Sequence, residues 1–120
     1  MIYLLLIAFQ IKHFVCDYPM QNNYMLQKGS DNNWILPLSF HCFVHALFTF
    51  TIALFATSFS MAIIAALIDF AIHFVMDRIK ASKKMLGKYN PSYKSFWVSL
   101  GFDQMIHHLT SILLIWIILQ

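Results

Sequence analysis

The sequence predicts an all-α integral membrane protein: one domain over residues 1–120, folded as an antiparallel bundle of four transmembrane helices around a buried His/Asp cluster. Three observations lead there. Of 120 residues, 60% are hydrophobic and 11% charged, with mean hydropathy +0.67, whereas a soluble domain carries about 25% charged residues. There is no glutamate, and every aspartate except Asp31 lies within or beside an apolar run that also carries histidine. The polar residues recur at a spacing of four: His13 with Asp17, His41 with His45, Asp69 with His73 and Asp77, and Asp103 with His107. That spacing stacks them on one helix face. An aspartate near the middle of a bilayer costs about 3 kcal/mol on insertion scales, so the pattern calls for a use.

Helix 1 is expected over 1–18, ending at Pro19. It lacks the basic start and small-residue cleavage site of a signal peptide, and is expected to be retained. Lys12 adjoins His13 but is expected to point elsewhere and snorkel towards water. The polar segment 20–33 follows, with a helical turn expected near 21–28 and Trp34 as an aromatic belt residue. Helix 2 is expected over 37–57, with Pro37 in the first turn, where its missing N–H has no partner. The short connection Thr57-Ser58-Phe59-Ser60 makes a hairpin with helix 3, expected over 60–80. A basic, turn-rich segment from Ala81 to Lys94 leads to helix 4, expected over 95–120. Cys16 and Cys42 are too few for a disulfide framework and read as small packing residues.

Orientation follows from the basic residues. Six of the eight Lys and Arg lie between Arg78 and Lys94, Lys28 lies in the first long connection, and the 57–60 turn has none. By the positive-inside rule both long connections are cytoplasmic and both termini lie outside, as in a bacterial inner membrane. Asp17, His41, Asp77 and Asp103 then lie near the cytoplasmic ends of their helices. Their partners His13, His45, Asp69 or His73, and His107 lie roughly 6 to 15 Å deeper at about 1.5 Å per residue. Four antiparallel helices would place all the pairs in one layer.

Imidazole and carboxylate on facing bundle helices are how metal sites are built in helical cores. This donor set suits Zn, Mn or Fe better than Mg²⁺ or Ca²⁺. One or two divalent ions are expected, because two would cancel the charge of four buried aspartates. The metal candidates are His41, His45, His73, Asp77, Asp103 and His107. Asp17, His13 and Asp69 are candidates for the general base or for orienting the ligands. Arg78, Lys80, Gln21 and Gln104 are candidates for holding an anionic substrate. The bland alternative is an Asp–His network that glues the helices together. A bis-histidine haem site explains the carboxylates less well.

Four motifs carry a resemblance: His13-Phe-Val-Cys-Asp17-Tyr-Pro-Met-Gln21, His41-Cys-Phe-Val-His45-Ala, His73-Phe-Val-Met-Asp77-Arg-Ile-Lys80 and Asp103-Gln104-Met-Ile-His107. Over nearly the whole chain they resemble a small membrane family of bacteria and phages, domain of unknown function 3307. The resemblance implies four membrane helices and no particular activity. More loosely, the pattern is similar to membrane-bound metal-dependent hydrolases with His and Asp on their helices.

Three functions are carried forward. The first is an intramembrane metal-dependent hydrolase acting from the cytoplasmic side on a phosphate- or acyl-containing lipid. The second is a metal-ion or proton transporter or sensor, which needs a polar path to both faces. The third is a non-catalytic interaction protein with a structural polar layer. The expected partners are membrane lipid and an anionic or lipid substrate. A homo-oligomer is compatible with the pattern, and nucleic acid is not expected.

Overall fold

The computed structural model describes residues 1–120 and is all helical, without strands. Its helices are α1 (Ile2–Asp17), α2 (Asn23–Leu26), α3 (Ile35–Leu54), α4 (Phe59–Ala81) and α5 (Lys94–Ile118), with 3₁₀ turns at Gln27–Gly29 and Leu86–Lys88. The helices α3, α4 and α5 are each long and apolar enough to cross a membrane. At 16 residues, α1 is shorter, about 24 Å at 1.5 Å per residue.

The expected boundaries hold to within a few residues, and the differences have local causes. Helix α3 starts at Ile35, which puts Pro37 at its third position. The first N–H that must find an acceptor inside the helix is that of Leu38, bonded to Trp34 O at 3.0 Å. The same helix ends at Leu54 because the next turn tightens: Phe55 N–H bonds Ile52 O at 3.2 Å and Ala56 N–H bonds Ala53 O at 2.9 Å. Ser58 then caps α4, its hydroxyl accepting from Met61 N–H. In the first long connection Asn22 caps α2 by accepting from Met25 N–H at 2.9 Å. Asn33 takes up the left-handed turn before α3 with φ 55°, a conformation asparagine tolerates.

Helix α3 packs on α1 and α4, and α5 packs on α4 and α1, so α1 and α4 lie diagonally across the bundle. The C-terminal parts of α1 and α4 meet the N-terminal parts of α3 and α5. Asp17 of α1 meets His41 and His45 of α3, and Asp77 of α4 meets His41 and also His107 of α5. Neighbours are therefore antiparallel throughout. The long axis measures 42 Å, close to the roughly 40–45 Å of a bilayer with its headgroups.

The chain is polar inside and apolar outside. Asp69, Asp77, Asp103, His41, His45, His73 and His107 are buried, while Leu4, Leu36, Leu67 and Trp116 are exposed. A bundle in water would show the reverse. The apolar core fills the other end, where Leu5, Phe9, Ala53, Ala62, Ala65, Leu114, Ile115 and Ile118 close on one another. The polar layer sits at the end that carries both long connections.

Candidate metal centre

Spacing of four joins His to Asp on α1, α4 and α5, and on α3 it sets the His41 and His45 rings 4.8 Å apart. His13 and Asp17, Asp69 and His73, and Asp103 and His107 each come within hydrogen-bond or ion-pair distance at i, i+4. The layer then closes between helices. His45 Nε2–H donates to Asp17 Oδ1 at 2.9 Å, and His107 Nε2–H is shared between Asp77 Oδ1 and Asp103 Oδ1, both at 3.1 Å. Adjacent imidazoles nearly stack, with ring centroids 4.0 Å apart for His45 and His73 and 4.3 Å for His73 and His107. All eight residues of the predicted pairs, with Asp69, lie in one cluster.

Five ring nitrogens in it are buried without a hydrogen-bond partner, both of His41, His45 Nδ1, His73 Nε2 and His107 Nδ1, and two of these bear on metal binding. His73 Nδ1–H donates to the backbone oxygen of Asp69 at 3.1 Å and lies 3.0 Å from Asp69 Oδ1, which leaves the Nε2 lone pair free. That nitrogen is buried without a partner. His41 Nε2 is 2.9 Å from Asp77 Oδ2 and 3.4 Å from Asp17 Oδ1, yet off the line of a hydrogen bond to either. Buried polar atoms are rarely left unpaired. An imidazole held by a carboxylate at one nitrogen and free at the other is how metal-ligating histidines are oriented. Four overlapping sets of donor atoms lie within 4.8 Å of one another: His13, His73 and His107; His13, Asp17 and His45; His45, Asp69 and His73; and Asp77, Asp103 and His107. The residues present fit a divalent cation.

Lysines change the charge balance. Lys12 does not snorkel: it is buried, its Nζ 2.6 Å from Asp69 Oδ2, whose same oxygen accepts from Thr49 Oγ1 at 2.6 Å. Lys28 Nζ lies 3.2 Å from Asp77 Oδ2, and Lys80 Nζ lies 3.1 Å from Asp103 Oδ2. Three of the four carboxylates thus carry an ammonium partner, and Asp17 alone faces only imidazoles. With neutral imidazoles the layer holds one net negative charge, so the charge argument for two ions loses its basis. An ammonium about 4 Å from a divalent ion repels it by about 8 kcal/mol at an effective dielectric of 20.

The other candidates divide. Gln104 bridges the layer, donating to Asp103 Oδ2 at 3.0 Å and offering Oε1 to His13 Nε2–H at 3.1 Å. Gln21 accepts from Lys28 Nζ at 2.8 Å and donates to Asp17 O at 3.2 Å. Arg78 is engaged with the first connection. Its guanidinium donates to Lys28 O and Ser30 O at 2.9 and 3.0 Å and lies over the Trp34 ring at 3.9 Å. It anchors the turn that delivers Lys28.

A family model described as protein of unknown function (DUF3307) matches residues 5–120. The chain belongs to that family. The match spans all four motifs, so the resemblance read from them stands. No curated protein and no solved structure matches, and the looser likeness of this DUF3307 chain to metal-dependent hydrolases rests on the motifs alone.

Lys12, Lys28 and Thr49 are the residues that sequence reasoning did not place in the site. For Lys12 a signal existed: Leu5, Phe9, Lys12 and Cys16 form one buried stripe of α1, the spacing of an inward-facing seam.

Proposed function

We propose that the chain is a four-span inner-membrane protein with both termini outside, and that its cytoplasmic-side cluster binds a divalent metal and hydrolyses a phosphate- or acyl-containing lipid. The observation that carries this reading is His73, a buried imidazole with Nδ1 fixed by Asp69 and Nε2 left free among other imidazoles. A helix-gluing network has no need to leave that atom unpaired.

Zn, Mn or Fe bound here would supply Lewis acidity that activates water near neutral pH. The chain's own residues do the rest. Asp69, clamped by Lys12 and Thr49, holds the His73 ring in one orientation. Asp17, with 17% of its side chain exposed against 0–5% for Asp69, Asp77 and Asp103, is the carboxylate that water and a proton can reach. Lys80 stands at the rim, 38% exposed, and lines a cavity of about 100 Å³ with Tyr89, Phe96 and Ser99. That placement suits an anionic headgroup.

Passage of ions from face to face is disfavoured by the apolar end, where Phe9, Leu114 and Ile118 are fully or almost fully buried and no polar path continues. The lysine partners favour a second reading, because three of the four aspartates are neutralised within the chain and a metal-free layer can hold the helices together. Elemental analysis of detergent-purified protein, with the double variant His45→Ala, His73→Ala as control, separates the two. Metal present in the parent and lost in the variant, with hydrolysis of a phosphate or acyl ester, supports the enzyme. A well-folded parent without metal favours the structural layer, and a metal-loaded protein inactive on such esters removes the hydrolase.

A further inference from the structure

Resting on the reading that the cluster holds metal, we infer that it takes one divalent ion, bound between Asp17, His13 and His45. Of the four sets of donor atoms that lie close enough together, three are unsuited. The set with Asp69 has the Lys12 ammonium 2.6 Å from that carboxylate, and the set with Asp77 and Asp103 has both Lys28 and Lys80 in place. A second cation entering either meets a first one already paired. The set His13, His73 and His107 contains no anion, whereas an ion on the fourth set would replace the Nε2 protons that His13 gives to Gln104 and His45 gives to Asp17.

The remaining set holds the one carboxylate without an ammonium partner, with an imidazole beside each of its oxygens. His13 Nε2 lies 3.2 Å from Asp17 Oδ2, and His45 Nε2 lies 2.9 Å from Asp17 Oδ1. Neighbouring ligands around an ion with bonds of about 2.1 Å stand about 3.0 to 3.4 Å apart, between a right angle and a tetrahedral one. Three protein ligands leave a position open, which is the arrangement of a catalytic and not a structural zinc. Asp17 is the most exposed of the four carboxylates, so the open position lies on the side water can reach. Two further imidazoles border the set: His41, its Nε2 3.4 Å from Asp17 Oδ1, and His73, which shares a donor set with His13 and another with His45. One ion also brings the layer to a single positive charge, which one anionic ligand, hydroxide or a substrate oxyanion, cancels. Two ions would leave a triple positive charge in a buried layer.

The test is a Co²⁺ titration of the full chain in detergent after chelator treatment, followed by visible absorption and elemental analysis. Saturation at one equivalent per chain is expected, with the intense absorption of a four- or five-coordinate ion. Asp17→Asn and His45→Ala should each weaken binding about tenfold or more, while Asp103→Asn still takes one equivalent. Asp17→Glu keeps the charge, so it should still bind with an altered spectrum and decides the matter if Asp17→Asn fails to fold. Two equivalents in the parent, undiminished binding by a folded Asp17→Asn, or an unchanged spectrum for Asp17→Glu overturns this inference while leaving a metal centre in place. No cobalt bound at all overturns both.

Discussion

Replacing Lys12 by methionine removes the ammonium from a pair in which both side chains are almost wholly buried, at 4% and 1% exposure. Methionine fills nearly the same volume, so packing changes little and the effect isolates the charge. Asp69 would be left as a buried carboxylate holding only the Thr49 hydroxyl and the His73 ring. Breaking a buried pair from one side costs about 3–5 kcal/mol. The two surviving hydrogen bonds place this case at the lower end, about 3 kcal/mol. Neutralising the orphan as well, in Lys12→Met with Asp69→Asn, keeps an oxygen for Thr49 and removes the unpaired charge, so about 2 kcal/mol should return. The assay is reversible unfolding of the helical signal by SDS in mixed micelles for the parent, both single variants and the double variant. Single variants that each lose less than about 1 kcal/mol, or effects that simply add, would refute the view that Lys12 and Asp69 neutralise one another across the bundle.

With Cys16 and Cys42 replaced, cysteine at Lys83 should be labelled only from the cytoplasm and cysteine at Ser58 only from outside; labelling of position 83 in intact cells reverses the topology. Gly87→Ala should destabilise the fold by about 1–3 kcal/mol, since the added methyl meets the Ala81 carbonyl at the end of α4. A melting temperature equal to the parent's would show that this turn is free to move away.

Helix order and most boundaries were legible because proline, tryptophan, short turns and capping residues punctuate the apolar runs. The cluster was legible because a spacing of four fixes a helix face, and faces that are polar in a membrane helix must turn inward. The partners of the lysines were not legible from that logic. Spacing puts Lys12 on the buried stripe of α1 with Leu5, Phe9 and Cys16, but which carboxylate it meets depends on the helix that lies diagonally opposite, and that arrangement is a property of packing. Lys28 arrives from a connection whose path is set by Arg78 on Trp34 and on the carbonyls of Lys28 and Ser30. The charge reasoning erred on the same account, since it counted carboxylates on helices and left out ammonium groups delivered by long, flexible side chains.

The pairing of Lys12 with Asp69 bears on how the chain is made. In the four-span arrangement proposed above, α1 leaves the ribosome first, and it is the shortest of the four, carrying Lys12, His13 and Asp17. Its ammonium has no counter-charge until α4 exists, 57 residues later in the chain, and Asp17 has none of its imidazole neighbours on other helices until α3 exists. The hairpin of α3 and α4 can close without either, through its tight turn and through Thr49 on Asp69 and His41 beside Asp77 between its own two helices. Biogenesis should therefore run out of sequence order. The first helix waits at the interface with its polar side chains hydrated, and it seats in the bundle only when the later helices offer it a lining.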